Sequence, residues 1–227
     1  MTVNRKLSLA TALAVVALSP GLATTSAAAA TLCGGRVATI VGTTGSDVIH
    51  GTAHADVISG LKGDDVIEGR GGADLICGDG GSDTLRGGRA RDRLIGNSGN
   101  DLMVGGSRGD VLRGGAGDDT LRGKKGHDRM SGGIGVDTLN GGRKDDRMGG
   151  GGDNDAMSGG RGVDYMYGSS GIDRLNGGAG ADHLLGGVGD DTLDGVDGMP
   201  EDVLGGGDGF DVCLFDAGDQ RTHCEQP

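Results

Sequence analysis

A nine-residue repeat places the strongest constraint on how this chain folds. Seventeen consecutive units fill residues 42–194, and each begins with Gly and carries Asp at its sixth position. An 11-residue variant at 195–205 and a last nonapeptide at 206–214 bring the total to 19 units. A fixed short period is typical of stacked repeats, which bury apolar side chains against their neighbours. The period therefore predicts a solenoid, whereas Gly-rich acidic chains without a period are usually disordered.

An apolar side chain recurs at the eighth position of each unit, and its neighbours at positions seven and nine are mostly polar. This alternation is typical of a half-buried strand. We therefore interpret positions one to six as a turn and positions seven to nine as a short strand. The predicted inward residues are Ile49, Ile58, Ile67, Ile76, Leu85, Leu94, Met103, Leu112, Leu121, Met130, Leu139, Met148, Met157, Met166, Leu175, Leu184, Leu193, Leu204 and Cys213.

Two units then close one coil, and stacked coils form two parallel sheets around a single apolar row. A helical solenoid is the alternative architecture. It is disfavoured because Gly begins every nonapeptide and usually recurs within it, which breaks helices too often. The sequence thus predicts an all-β solenoid of two short-stranded sheets over residues 42–214.

Residues 1–30 have the features of a secretory signal peptide. Arg5 and Lys6 precede an apolar stretch at 7–18, and the small residues Ala28, Ala29 and Ala30 follow. The apolar stretch is shorter than the roughly 20 residues that span a bilayer, so a transmembrane anchor is the weaker interpretation. We expect the protein to be secreted.

Both ends of the remaining chain depart from the repeat. Residues 31–41 contain a decayed unit, with Ala38 where Asp would stand and Ile40 at the apolar eighth position. Residues 215–227 lose the repeat. Because terminal repeats are usually atypical, we interpret 31–41 as an N-terminal cap and 215–227 as a C-terminal cap.

The exported chain would contain four Cys residues, Cys33, Cys77, Cys213 and Cys224. An even number of Cys in an exported protein favours disulfides. We prefer the pairing of sequence neighbours, Cys33 with Cys77 and Cys213 with Cys224, among the three connectivities. A zinc site is the alternative, although no Cys-x-x-Cys spacing supports it.

The charge pattern predicts a cation site in each turn. The chain has 33 Asp and Glu against 21 Lys and Arg, and the 19 sixth-position Asp residues outnumber this acidic excess. Calcium prefers six to eight oxygen ligands, which proteins supply from carboxylates and backbone carbonyls. A turn and the turn stacked on it, two units later, can supply such a set together. Nineteen turns along two edges provide at most about 17 such positions.

The unit Gly-Gly-x-Gly-x-Asp-x-(Leu/Ile)-x, seen in Gly114–Arg122 and Gly186–Asp194, resembles the haemolysin-type, or RTX, calcium-binding repeat. The resemblance covers residues 42–214 and is closest to short exported proteins of actinobacteria that contain repeats alone. It implies a right-handed parallel β-roll with multiple calcium ions in its turns. The calcium ligands that we carry over by position are Asp47, Asp56, Asp65, Asp74, Asp83, Asp101, Asp119, Asp128, Asp137, Asp164, Asp173, Asp182, Asp191 and Asp211.

Five turns depart from the pattern because their fourth position holds His54, Ala90, Arg108, Lys144 or Asp153 in place of Gly. We expect sites that use these turns to be weak or empty, and we hypothesise that Arg108 and Lys144 replace part of the ion's charge. Nineteen aligned carboxylates repel one another without counterions. We therefore expect the metal-free chain to be largely disordered and calcium binding to be coupled to folding.

The sequence predicts a secreted, non-enzymatic, calcium-binding module with a structural or binding role outside the cell. It contains no His-Glu-x-x-His motif and no recognisable nucleophile motif. The alternative is an extracellular roll that binds or modifies polysaccharide. Residues 86–147 carry 13 basic and 9 acidic residues, which suits an anionic cell-wall polymer or polysaccharide. Nucleic acid is not an expected partner because stacking aromatics are few, and no second apolar segment predicts a membrane span.

Overall fold

The computed structural model describes residues 31–225. The predicted signal peptide and the last two residues lie outside the described part of the chain. The regular structure from 31 to 225 consists of β-strands in two long parallel sheets and one antiparallel hairpin. In this part of the chain there is no helix long and apolar enough to cross a membrane.

The strands follow one another at intervals of about one unit. The hairpin contains β1 (Leu32–Cys33) and β2 (Arg36–Val37). Sheet 1 contains the odd-numbered strands β3 (Ile40–Val41), β5 (Val57–Lys62), β7 (Leu75–Gly80), β9 (Arg93–Ser98), β11 (Val111–Ala116), β13 (Arg129–Ile134), β15 (Arg147–Gly152), β17 (Tyr165–Ser170), β19 (His183–Val188), β21 (Val203–Asp208) and β23 (Gln220–Thr222). Sheet 2 contains the even-numbered strands β4 (Val48–His50), β6 (Val66–Arg70), β8 (Thr84–Gly88), β10 (Leu102–Ser107), β12 (Thr120–Lys125), β14 (Thr138–Arg143), β16 (Ala156–Arg161), β18 (Arg174–Ala179), β20 (Thr192–Asp194) and β22 (Val212–Leu214).

Each strand pairs in parallel with the strands two units before and after it. In sheet 2, for example, Met103 of β10 lies beside Leu85 of β8 and Leu121 of β12. Two units therefore form one coil, as the sequence predicts, and about ten coils stack into an all-β parallel solenoid. We call edge A the side where the chain passes from sheet 1 to sheet 2, and edge B the side where it returns.

The eighth-position side chains form one continuous core between the sheets. All 19 predicted inward residues, from Ile49 to Cys213, belong to this buried cluster. Ile40 and Cys224 pack against it. The prediction of a single apolar row is therefore confirmed in full.

The turns are shorter than the sequence suggested. Most strands contain six residues, so that β11, for example, runs from position seven of one unit to position three of the next. Gly115 and Ala116, at positions two and three, lie in register with Gly133 and Ile134 of the next coil. The interpretation of positions one to three as turn was thus wrong, because their backbone groups also pair between coils. Only positions four to six form the turn.

The N-terminal hairpin covers the outer face of sheet 1. Cys33 forms a disulfide with Cys77, in agreement with the preferred pairing. Val57 and Leu75 complete a small buried cluster beneath it. The hairpin thus shields positions seven and nine, which face water in most of the roll. Val57, Leu75 and Cys77 at these positions are apolar, whereas the buried Ser59 at position nine donates a hydrogen bond to Asp79.

The C-terminal tail continues the solenoid as an abbreviated coil. Strand β23 pairs in parallel with β21, and a disulfide joins Cys213 to Cys224 as the sequence analysis prefers. Within residues 215–225, part of the repeat pattern persists. Gly218 keeps the positive φ of a fourth-position Gly, and Asp219 follows it directly with one residue fewer than a full unit.

Candidate metal centre

The sixth-position Asp side chains line the inside of both edges. Strand alternation that places position eight inside also places positions six and one inside. The aspartates from Asp65 to Asp211 in this column are buried, and 3% exposure is the largest value among them. Asp47 and Asp56, in the first two units, are half-buried.

One oxygen of each carboxylate is fixed by the neighbouring coil. The Oδ1 atom of Asp65 accepts a hydrogen bond from the backbone N–H of Asp47 at 2.8 Å, and Asp83 does the same for Asp65 at 2.8 Å. The pattern continues along both edges to Asp202 and Asp211. Each coil therefore orients the carboxylates of the next coil before any ion binds.

The other oxygen, Oδ2, has no hydrogen-bond partner in the 17 turns from Asp65 to Asp211. A buried carboxylate oxygen without a partner is costly. A β-carbon on Gly114 would overlap Asp119 Oδ2 and would lie 2.6 Å from the carbonyl oxygen of Gly132 in the next coil. Glycine at position one thus leaves open a space bordered by carboxylate and carbonyl oxygens, which we call the corner. These are the ligand types that calcium prefers, so the residues fit this ion.

Alanine at this corner is expected to remove calcium binding locally. Gly114→Ala should lower the free energy of unfolding of the calcium-loaded protein by about 1–3 kcal/mol, because the new methyl group competes for the space of Asp119 Oδ2. Urea unfolding in excess calcium measures this. Gly149→Ala is the matched control, since nothing lies within 4 Å of its added β-carbon. Equal stability of the two variants would contradict the assignment of the corner.

Burial raises the pKa of many of these carboxyl groups. It raises the pKa of Asp110 and of Asp146 to about 8, that of Asp101 to about 7, and those of Asp74 and Asp83 to about 6. The hydrogen bond from the neighbouring backbone N–H opposes the rise, whereas the like charge of carboxylates one coil away adds to it. A cation at Oδ2 would offset the desolvation and the repulsion together.

The calcium-free roll is therefore expected to be more stable in acid than in base. Because the folded-state pKa values lie above the usual value of about 3.9, the protonated carboxyls favour folding. Their contribution is complete below about pH 4 and is lost as the pH rises through about 6 to 8. Circular dichroism of the calcium-free protein between pH 4 and pH 9 checks this. A β-sheet signal that increases toward pH 9 would contradict it.

The structure places 12 of the 14 predicted ligands in the same environment. The exceptions are Asp47 and Asp56, whose Oδ2 atoms accept hydrogen bonds from Thr43 and Thr52, respectively. These Thr residues stand at position two and compete with an ion for the carboxylate. Five further aspartates, which the sequence analysis left out, have the same burial and the same unpartnered Oδ2: Asp92, Asp110, Asp146, Asp155 and Asp202.

Four of the five fourth-position departures lie at edge B, namely His54, Ala90, Arg108 and Lys144, and only Asp153 lies at edge A. Arg108 and Lys144 take φ values of 80° and 76°, which glycine adopts more readily. In the described part of the chain, neither forms an ion pair with an aspartate. The structure therefore does not show the charge replacement that the sequence analysis hypothesises.

Two sets of polar residues near the turns were not found from the sequence. At edge A, fifth-position oxygens accept hydrogen bonds from the next coil, as Asp64 does from the Ser82 N–H at 2.8 Å and Asp118 from the Val136 N–H at 2.9 Å. At the C-terminal end, Glu225 replaces the missing carboxylate of a further coil and accepts from the Asp211 N–H at 2.7 Å. A recurrence of Asp, Asn and Ser at position five of alternate units was the available signal.

Three or more His, Cys, Asp or Glu side chains do not converge anywhere between residues 31 and 225. Any ion in these turns would therefore depend on backbone carbonyls as much as on carboxylates. This is the arrangement that Gly-rich turns permit, because a side chain at position one would block the approach.

Comparison with known proteins agrees with this geometry. The model of the RTX calcium-binding nonapeptide repeat matches seven overlapping segments, residues 34–67, 41–76, 50–85, 78–107, 104–139, 131–166 and 167–198. No curated protein matches the chain. The matched segments together cover residues 34–198, well over half of the chain. The chain belongs to the RTX calcium-binding nonapeptide repeat family.

Proposed function

We propose that this protein is an exported calcium-binding roll whose folding depends on calcium and which serves as a structural or binding module outside the cell. The observation that carries the proposal is the set of 17 buried, unpartnered Oδ2 atoms, which form one column along each edge. None of the described residues donates a hydrogen bond to these oxygens. Calcium bound beside them would neutralise their charge and join each coil to the next.

The donor set favours calcium over softer metals. Carboxylate and carbonyl oxygens suit calcium or magnesium, whereas zinc and copper prefer nitrogen and sulfur. All four Cys residues are in disulfides. Magnesium demands nearly ideal octahedral geometry and releases its water reluctantly. We therefore assign the aspartate Oδ2 atoms, with carbonyl oxygens of the first-position glycines, as calcium ligands.

Two features support export. Residues 1–30 have the composition of a signal peptide, and the two disulfides fit an oxidising compartment. RTX proteins are also typically exported. A free calcium concentration high enough to fill many sites is found outside cells, where extracellular calcium modules bind at about 10⁻⁴–10⁻³ M. Folding would then follow export.

We propose no catalytic role. The buried aspartates are committed to the backbone of the next coil through Oδ1, which leaves them poorly placed to act on a substrate. The polysaccharide-modifying alternative needs paired carboxylates in a groove on the outer surface. The binding alternative is favoured by the basic charge of edge B.

Expression of the chain with and without residues 1–30 tests export and calcium-dependent folding together. We expect the complete chain to yield mature protein in the medium. This protein should resist protease in calcium and be digested after calcium is removed. Retention of the complete chain inside the cell would contradict export, and protease resistance without calcium would contradict the coupling of folding to calcium.

A further inference from the structure

Charge on this roll is divided between its two edges. Nine Lys and Arg residues lie between the first Gly and the Asp of edge B turns, among them Arg89, Arg91, Arg108, Lys124, Arg143 and Lys144. All six are exposed. The corresponding positions of edge B contain only three acidic residues, two of them in the last turn.

Edge A has the opposite character. Its corresponding positions contain one basic residue, Lys62. They contain six acidic residues, Asp64, Asp79, Asp118, Asp153, Asp190 and Asp208. The basic excess that the sequence shows in its central part is therefore a surface feature of one edge and is not spread around the roll.

The cations of edge B are not used to stabilise the fold through ion pairs. Between residues 31 and 225, ion pairs join His50 and Arg86 to Glu68, and His127 to Asp145. None of the nine Lys and Arg residues of edge B takes part. Their charge is available to a ligand, and it dominates this edge once calcium neutralises the buried aspartates.

Several of these cations occupy backbone positions that suit glycine better. Arg70, Arg108, Lys124 and Lys144 have φ values of 74°, 80°, 80° and 76°. Residues with long side chains rarely adopt this region, whereas glycine does so freely. At edge A, Leu61, Asp79 and Asn97 have similar φ values. The backbone strain is therefore common to both edges, and the charge of these residues is what distinguishes edge B.

Open clefts follow the same edge along the roll. One of about 500 Å³ is bordered by Arg89, Ala90, Arg91 and Arg108. A neighbouring cleft of about 430 Å³ shares Arg89. Basic side chains thus border both clefts, and they recur along edge B at the coil spacing of about 4.8 Å.

An aromatic stack adjoins edge B farther along the roll. Arg147 lies over the ring of Tyr165, 5.4 Å from its centroid. Tyr165 stacks on His183 with ring centroids 4.5 Å apart. A third cleft of about 430 Å³ contains Arg147 and Tyr165. Arg147 and His183 come from the coils on either side of Tyr165 and cover its two ring faces. The edge of this stack, with the Tyr165 hydroxyl, therefore remains for a ligand that has hydroxyl groups and negative charge.

We propose that edge B binds an acidic polysaccharide lying along the axis of the roll. Arg residues would bind the carboxylates through their planar guanidinium groups, and the Tyr165 hydroxyl at the edge of the stack would form a hydrogen bond with a sugar hydroxyl. The inference rests on the proposed calcium-folded state, because only the folded roll brings Arg89, Arg108 and Lys144 to one edge from different units.

The test compares one double variant with one single variant, and both relieve the backbone strain of a fourth-position residue. Arg108→Gly with Lys144→Gly restores glycine at edge B and removes two charges, whereas Asp153→Gly restores glycine at edge A. A hyaluronan decasaccharide is the probe, with dextran as the neutral control, and binding to the calcium-loaded protein is measured by calorimetry. We expect salt-sensitive binding of hyaluronan alone, weakened roughly threefold to thirtyfold in the edge B variant. Asp153→Gly should bind as the unchanged protein does.

Circular dichroism of the same samples distinguishes a failure of this inference from a failure of the proposed calcium-dependent folding. A folded protein that does not bind hyaluronan, or whose edge B variant binds equally well, overturns this inference alone. Tighter binding of single-stranded DNA than of hyaluronan also overturns it. A chain that stays unfolded in calcium overturns the proposed function and this inference with it.

Discussion

In calcium-free buffer at pH 8, the protein is expected to lose most of its β-sheet circular dichroism and to regain it when calcium is added. Seventeen buried Oδ2 atoms have no hydrogen-bond partner among residues 31–225, and the carboxylates of each edge stand one coil apart, at about 4.8 Å. Two unit charges at this distance repel by about 3–4 kcal/mol at an effective dielectric constant of about 20. The repulsion recurs along both edges, and a core one side chain wide cannot compensate for it.

Magnesium at the same concentration is the matched control and is expected to restore little structure, because it tolerates irregular ligand geometry poorly. Reductant is omitted so that both disulfides stay intact. Full β-sheet signal in calcium-free buffer at pH 8 would contradict the coupling of folding to calcium. Equal recovery with magnesium would contradict the assignment of the ion.

Asp119→Asn is expected to have the second-largest effect. The amide oxygen still accepts the hydrogen bond that Asp119 Oδ1 receives from the Asp101 N–H at 2.8 Å, so the coil contact is retained. The charge beside the ion is lost, and removal of one member of a buried charge pair costs about 3–5 kcal/mol. Calcium titration followed by circular dichroism should show a higher midpoint and a smaller number of bound ions.

Two matched variants locate the effect of Asp119→Asn. Asp118→Asn changes the adjacent exposed carboxylate, whose Oδ1 accepts from the Val136 N–H, and it should leave the titration nearly unchanged. Asp211→Asn removes the same charge from the last unit and should have a smaller effect than Asp119→Asn. In a stacked repeat each coil contacts only its neighbours, so that a central defect divides the array whereas a terminal one shortens it. Equal titrations for Asp118→Asn and Asp119→Asn would contradict the buried site.

Much of the fold follows from the repeat alone. Because strand alternation has a period of two, the inward position of Leu121 also fixes Asp119 and Gly123 on the inner side of the same strand. Phase is kept across 17 units of equal length, so the register of one pair of coils predicts the register of the others. The sheets, the core and the aspartate columns were therefore predictable.

Features that depend on contacts between coils were harder to predict. The strand extends through Gly114 and Gly115 because their backbone groups pair with the next coil, although Gly by itself favours a turn. Thr43, at position two, donates its backbone N–H to Asp47 Oδ2, and only the structure reveals this contact. Glu225 completes the last coil without matching the repeat at all.

The division of charge between the edges also emerges only from the fold. Along the sequence, Arg89, Arg108 and Lys144 are separated by units whose turns carry Asp118 or Asn100. Alternate units belong to opposite edges, so the basic and acidic residues separate when the coils close. A period of 18 residues, two units long, was the signal in the sequence.

Anomalous difference density from crystals grown in calcium tests the central claim most directly. The expected result is two columns of peaks, one along each edge, with each peak between stacked turns and beside the Oδ2 atoms of the buried aspartates. The first two units, where Thr43 and Thr52 bind the carboxylates, should have the weakest peaks. Absence of peaks at both edges, or calcium bound only on the outer faces of the sheets, would contradict the assignment.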